Sequence, residues 1–275
     1  MIVSRRAGEL VLVRQVDHQE QCGLMADAWG NQGFERPEPF GPVALAARVH
    51  DEGWRGWEER AGVGPDGFPV NFSDIDRSVH VALYRDGIAR AAARDAATGL
   101  LVSLHGQGLY EGRRGLDAGP ATPRSEREPS VRAFLAEQDD VQAGLRARIG
   151  DGAALDAWSW AGYRLLQTWD VMSLFLTWST LWDRGAAALP QVPRRVGDAG
   201  VELRLRAEAD GQVTCEPWPF AAEAVDLPVA SRAVPGRRYA SDGDLAATLA
   251  ESEWSTLEFR LRPPKSDTGL TRPRT

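Results

Sequence analysis

The sequence predicts a mainly α protein, α+β overall: a helical bundle core carrying a small C-terminal antiparallel β subdomain. Two observations carry this. Helical periodicity recurs from about residue 17 to 183. After "GAAALPQVPRR" the pattern changes to apolar/polar alternation around an Asp-Gly turn. A chain of 275 residues with 43% hydrophobic content can bury one sizeable core and a smaller attached one. The expected division is a helical domain with an N-terminal hairpin over 1–190, the β subdomain over 191–262, and a disordered tail over 263–275.

In chain order, "MIV" and "ELVLVRQ" flank "SRRAG" as a short hairpin with Gly8 in its turn. A helix is expected from Asp17, whose carboxylate would cap the amides of residues 19 and 20, to the residue before Gly30. "GPVALAARVH" forms a second helix with Pro42 in its first turn. The stretch "GVGPDGFPVNFSD" is a loop, dense in turn residues. Helices follow over "SVHVALYRDGIARAAARD" and, capped by Asp95, over "AATGLLVSLHGQG". Residues 110–130 form a polar Gly/Pro/Arg insert, either a lid bearing Arg113, Arg114 and Arg124 or plain surface. A charged helix, "VRAFLAEQDDVQAGLRARI", precedes a long apolar one at about 153–183. "VELRLRAEADGQVTCEPW" reads as a hairpin and "STLEFRLRP" as a further single strand.

A net charge of −7 offers no basic field for nucleic acid or an anionic membrane. The most apolar stretch, "VMSLFLTWSTLW", is 12 residues long, short of the ~20 that span a bilayer. Together with the absence of a leader signature, this gives the expectation of a cytoplasmic protein acting on a small molecule. Lys265 is the sole lysine, and arginines supply every other cationic side chain. The two cysteines, Cys22 and Cys215, lack CxxC spacing, so neither a disulfide nor a cysteine-built zinc site is expected.

The chemistry gathers on histidine. His18, His50, His80 and His105 are all four histidines and recur at spacings of 32, 30 and 25 residues, about one helix-plus-loop unit each. In an antiparallel bundle such placement brings one side chain per helix to a common layer. His50 stands beside Asp51 at a helix end. Asp170 lies within the most apolar helix, where a carboxylate needs a partner or a cation; Arg164 or a tryptophan indole would serve as the partner. Each histidine by itself has an ordinary reading as a surface, capping or core residue. Trp54 and Trp57 either wall a pocket or pack the helix end, and Glu58 and Glu59 read as solvated surface.

The ordered pattern H…HD…H…H…D resembles the HD-domain superfamily in its dinuclear version, over roughly residues 10–180. With "MIVSRR", "HDEGW", "LLVSLHGQGLY" and "WDVMSL", the chain also resembles an uncharacterised bacterial family known only as a domain of unknown function. The resemblance implies an HD-type helical bundle in which His18, His50, Asp51 and Asp170 bind one metal. Asp51 would bridge to a second metal held by His80 and His105. Imidazole and carboxylate ligands suit Fe or Mn foremost, and also Zn, Co or Ni. Many relatives carry a lysine where Trp54 stands, so Arg55 is the expected substitute for contacting a phosphate beside catalytic Asp51. Three functions stay open: a metal-dependent hydrolase of a phosphoester or nucleotide-like molecule, a diiron oxygenase acting on a C–H bond, and a non-catalytic helical binding protein.

Overall fold

The computed structural model describes residues 1–114, 122–150, 152–209 and 211–265. β1 (Ile2–Arg6) and β2 (Glu9–Val13) form the expected hairpin, turned by Ala7 and Gly8 at positive φ. Two consecutive positive φ values match the right-handed twist of the flanking strands. Then come α1 (Gln15–Ala28), α2 (Gly41–Val49), a 3₁₀ turn (Glu52–Trp54), α3 (Arg55–Glu58), α4 (Arg77–Arg94), α5 (Ala96–Gly108), α6 (Pro129–Ile149), α7 (Ala153–Thr177) and α8 (Ser179–Trp182). The chain continues through β3 (Ala186–Val192), β4 (Val201–Ala207), β5 (Gln212–Glu216), β6 (Val225–Asp226), β7 (Val229–Pro235), α9 (Asp242–Glu251), β8 (Trp254–Leu257) and β9 (Arg260–Arg262).

The helical boundaries follow local chemistry with two exceptions. Asp95 caps α5, its carboxylate accepting from the Thr98 amide at 2.7 Å. Asp17, however, caps nothing: α1 begins two residues earlier, and Asp17 takes both hydrogen bonds of the Arg14 guanidinium, at 2.6 and 2.9 Å. The long apolar helix also stops early. Trp178 is extended, and Ser4 on β1 supports the break. Its hydroxyl donates to the Thr177 carbonyl at 2.7 Å and accepts from the Ser179 amide at 2.8 Å. A side chain from the first strand thus supplies the hydrogen bonds that a continued helix would have made.

The expectation of a mainly α, HD-type bundle with a small C-terminal β appendage is overturned. Two sheets form a substantial part of the molecule, which is α+β: a four-stranded sheet β1-β2-β7-β8 and a five-stranded sheet β3-β4-β5-β9-β6. The N-terminal hairpin joins strands from the far end of the chain, with Leu10 opposite Val234. β5 and β9 run parallel, so the second sheet is mixed instead of antiparallel. "STLEFRLRP" is two strands, β8 and β9, lying in different sheets. The physical reason is that strand partners are chosen across the fold, whereas alternation reports only which face of a strand is buried. β3 escaped notice because "AAALPQV" carries alanines and a proline, which are poor strand formers. Expectations for the 263–275 tail beyond Lys265, and for the middle of the 110–130 insert, fall outside the described residues.

One apolar core joins the helices to the five-stranded sheet, with Trp29, Trp169, Phe175, Leu203 and Leu261 buried in it. β2 is buried on both faces: Val13 belongs to that core, while Leu10 and Leu12 pack with Tyr239 and Leu245 beneath α9. Among the helices, α1 lies against α2 and α7, and α5 packs against α2, α4, α6 and α7. Those contacts turn the polar faces of α1, α5 and α7 toward one another. Among the described residues no helix is long and apolar enough to cross a membrane.

Candidate metal centre

α1 supplies His18 and Cys22, one turn apart and therefore on one face of the helix. The end of α2 and the following turn supply His50 and Asp51, α5 supplies His105 and α7 supplies Asp170. All six are buried. The ligand atoms of His18, Cys22 and His50 lie within 4.8 Å of one another, and so do those of His50, Asp51 and His105. The His50 ring meets those of His18 and His105 at centroid distances of 5.5 and 4.9 Å.

Hydrogen bonding sets the tautomers. Gln21 donates its amide to the Leu227 carbonyl at 2.8 Å, so its oxygen accepts from the Ser173 hydroxyl at 2.7 Å. Ser173 Oγ, having spent its only proton, accepts from His18 Nδ1 at 2.7 Å. His18 Nε2 then faces Asp170 Oδ1 at 3.1 Å, an approach that requires a proton or a metal cation between them. Burial opposes the imidazolium, but the Cys22 sulfur and Asp170 outweigh it and hold His18 well above its ordinary value. Burial likewise opposes the Asp170 carboxylate, which the His18 hydrogen bond and Arg113 keep well below the usual range. Arg164, one of the partners considered for Asp170, instead donates to the Arg113 carbonyl and to Gln191 Oε1.

His50 Nδ1 donates to the Ala47 carbonyl at 3.0 Å, leaving Nε2 as the acceptor. This atom is buried and has no hydrogen-bond partner among the described residues. Asp51 Oδ2 lies 3.5 Å from it. A lone pair facing a carboxylate across that gap is repulsive unless a cation lies between. Asp51 is held from both ends: Oδ1 accepts from the Tyr84 hydroxyl at 2.9 Å, and its amide donates to Gln19 Oε1 at 2.9 Å. The Gln167 amide nitrogen donates to His105 Nδ1 at 3.0 Å while Gln167 Oε1 is orphaned; turning that amide about lets Oε1 accept from Nδ1 and frees His105 Nε2 as a ligand. The orphaned buried Nε2 and the donor chemistry fit a metal ion at His50, whose ligand atom lies within 4.8 Å of that of His18 and of those of Asp51 and His105, with Asp170 beside His18.

His80 stands apart from that cluster. Its Nδ1 is hydrogen-bonded to the Tyr110 hydroxyl and its ring packs edge-on against Tyr84 and Trp54. It nevertheless lines the same cavity, of about 260 Å³, as Asp51, His105 and Asp170. Arg77, Arg113 and Arg127 line the cavity as well. Arg55 is absent from its lining and is held by Glu52 in two hydrogen bonds, at 2.9 and 3.0 Å. Trp54 is buried against Trp57 and His80 as packing. Glu58 is buried too, where it takes the Met1 amine at 2.8 Å and the Gln15 amide at 2.7 Å. Sequence reasoning missed Cys22, Tyr84, Tyr110 and the glutamines. The one available signal was the H-x-x-x-C spacing of His18 and Cys22 on a helix.

Burial pushes His80 down to about 4 and His105 down to about 3. Both are neutral in the folded chain at pH values where the unfolded imidazole, near 6.5, is charged. Below pH ~6.5 the unfolded state therefore binds more protons, and stability falls as pH falls toward 3. His18, shifted upward, contributes fully throughout that range and does not oppose the trend. In chelated protein the urea midpoint is expected to drop steadily between pH 6.5 and 4, less steeply in His105→Gln. A flat profile in the parent would contradict this.

Taken together, these features define an α+β protein with a buried imidazole–carboxylate cluster opening onto an arginine-lined cavity. Residues 1–236 match the model of the family described as "Protein of unknown function (DUF3891)", and the chain belongs to that family. No curated protein and no solved structure gives a significant match.

Proposed function

We propose that this protein is a metal-dependent hydrolase of a phosphoester or nucleotide-like small molecule, with an HD-type His/Asp ligand pattern. The observation that carries the reading is the cavity itself. Asp51, His80, His105 and Asp170 share it with Arg77, Arg113 and Arg127. Carboxylates and imidazoles that attract cations thus face three guanidiniums that attract an anion. Two divalent ions, with Fe or Mn foremost and Zn, Co or Ni as alternatives, fit the donors of His18, His50, Asp51, His80, His105 and Asp170. When bound, such ions supply Lewis acidity and charge neutralisation at a phosphoryl group.

The chain's own residues do the rest. Arg77, Arg113 and Arg127 draw in and orient the anionic group, the role that sequence reasoning placed on Arg55. Tyr84 and Gln19 hold the Asp51 carboxylate and backbone in place. Burial keeps His80 and His105 neutral and able to donate lone pairs. The three arginines favour an anionic substrate over an apolar C–H substrate.

Two measurements test this together. Protein purified without chelator is expected to hold close to two equivalents of metal by elemental analysis, falling in His105→Ala. It is also expected to hydrolyse at least one member of a panel of phosphomonoesters, phosphodiesters and nucleotides, with activity lost on chelation. Protein that retains no metal after reconstitution with iron and manganese would end the proposal.

A further inference from the structure

We infer that Cys22 is a metal ligand, giving the centre a mixed donor set of His18, Cys22 and His50 with thiolate character. The inference rests on the metal-binding reading above but goes beyond its imidazole–carboxylate ligands. Cys22 is fully buried and sits one helical turn after His18 on α1. Its sulfur lies 3.9 Å from His18 Nε2, the same nitrogen that faces Asp170 Oδ1 at 3.1 Å. The ligand atoms of His18, Cys22 and His50 fall within 4.8 Å of one another. A tetrahedral ion with metal–nitrogen bonds of about 2.0–2.1 Å and a metal–sulfur bond of about 2.3 Å separates those donors by roughly 3.5 Å. The observed spacing closes onto such an ion with only a small inward movement.

A buried cysteine is ordinarily a small apolar side chain. What distinguishes this one is the independent testimony of His50. With Nδ1 spent on the Ala47 carbonyl, His50 offers a single ligand atom, and that atom is buried and unpartnered among the described residues. It lies within ligand range of the Cys22 sulfur. His50 Nε2 belongs both to this group and to the one with Asp51 and His105, so an ion seated on it has the Cys22 sulfur within reach. Asp51 and His105 remain beside it, facing the cavity.

On binding, the thiol proton leaves to solvent as the sulfur–metal bond forms, with no change of oxidation state. The consequence is selectivity. A thiolate raises the preference for Zn(II), Co(II) and Fe(II) over Mn(II) and Mg(II).

The test is a Co(II) titration of the chelated full-length chain, followed by absorption spectroscopy. The parent is expected to show an intense near-ultraviolet sulfur-to-cobalt charge-transfer band alongside the weaker visible d–d bands. Cys215→Ser, which alters the only other cysteine, keeps the band. Cys22→Ser loses it, retains the visible bands, and binds Zn(II) at least about tenfold more weakly while Mn(II) affinity changes less than about twofold. Cobalt bound by the parent without the charge-transfer band would overturn the role of Cys22 and leave the metal centre standing. Persistence of the band in Cys22→Ser would overturn it equally. No cobalt bound by the parent would overturn both this inference and the proposed function. If Cys22→Ser fails to fold, the parent and Cys215→Ser spectra still assign the sulfur, because the chain contains just two cysteines.

Discussion

Asp51→Asn is expected to abolish metal-dependent activity, by at least about a thousandfold, while leaving the metal-free chain as stable as its parent or more so. The two halves of this result have different physical origins. An asparagine keeps the side-chain oxygen that accepts from the Tyr84 hydroxyl, and the backbone amide still donates to Gln19. The fold therefore loses no hydrogen bond. It also no longer buries a carboxylate 3.5 Å from a histidine nitrogen, an arrangement that is costly without a cation. What disappears is the negative charge that draws the ion in. Thermal unfolding with and without added metal separates these effects. Binding as proposed adds RT ln(1 + [metal]/Kd) to the parent's unfolding free energy and so raises its melting temperature with metal concentration, whereas the variant should not respond. A metal-loaded, active Asp51→Asn protein would remove Asp51 from the centre.

Gly53→Ala is expected to cost at least about 3 kcal/mol, although the residue touches no proposed ligand. Gly53 lies in the turn that follows the His50–Asp51 pair, where α4 crosses against it. A Cβ there would overlap the carbonyl oxygen of Leu83, with the Leu83 carbonyl carbon at 2.9 Å and the Gly87 amide nitrogen at 3.0 Å. All three obstacles are backbone, so no rotamer change relieves them. α4 would have to move, and with it Tyr84, whose hydroxyl holds Asp51. Gly56, one turn further on, is the control. A Cβ there meets nothing within 4 Å, so Gly56→Ala should be neutral or slightly stabilising through helix propensity. Urea unfolding of the two variants checks both. Equal midpoints would show that the turn can move away from α4.

Several parts of this protein are decided by short-range chemistry and were legible in one dimension. The spans of α2, α4 and α5 follow from periodicity and from the caps and breakers at their ends, as with Pro42 and Asp95. The hairpin at Gly8 follows from its turn residues. The regular spacing of four histidines, one of them joined to an aspartate, together with a carboxylate in the most apolar helix, singled out His18, His50, Asp51, His105 and Asp170, which the folded chain gathers, and His80, which it places at the cavity wall beside Tyr110. Membership of an uncharacterised family was likewise carried by local motifs.

Other features depend on which partner a side chain takes in the folded chain, near or far in sequence. Asp17 has the right residue type for a cap, yet Arg14 claims it. Glu58 looks like surface until the Met1 amine and the Gln15 amide fold onto it. Arg55 stands close to the His50–Asp51 pair in sequence, but Glu52 holds it outside the cavity, which Arg77 at the start of α4 and Arg113 and Arg127 between α5 and α6 line instead. Cys22 has His18 one turn away on its own helix, but acquired His50 as a neighbour only when α1 packed beside the end of α2. The two sheets show the limit most plainly. Alternation marks a half-buried strand, but the pairing of Leu10 with Val234 is a choice among all exposed strand edges, made by total burial and hydrogen bonding in the assembled molecule. Sequence by itself determined the spans of α2, α4 and α5, the N-terminal turn and the imidazole and carboxylate donor types. The tertiary structure alone decided the extent and pairing of the two sheets, which donors converge and which arginines stand beside them, because burial and charge neutralisation act between segments that only folding brings together.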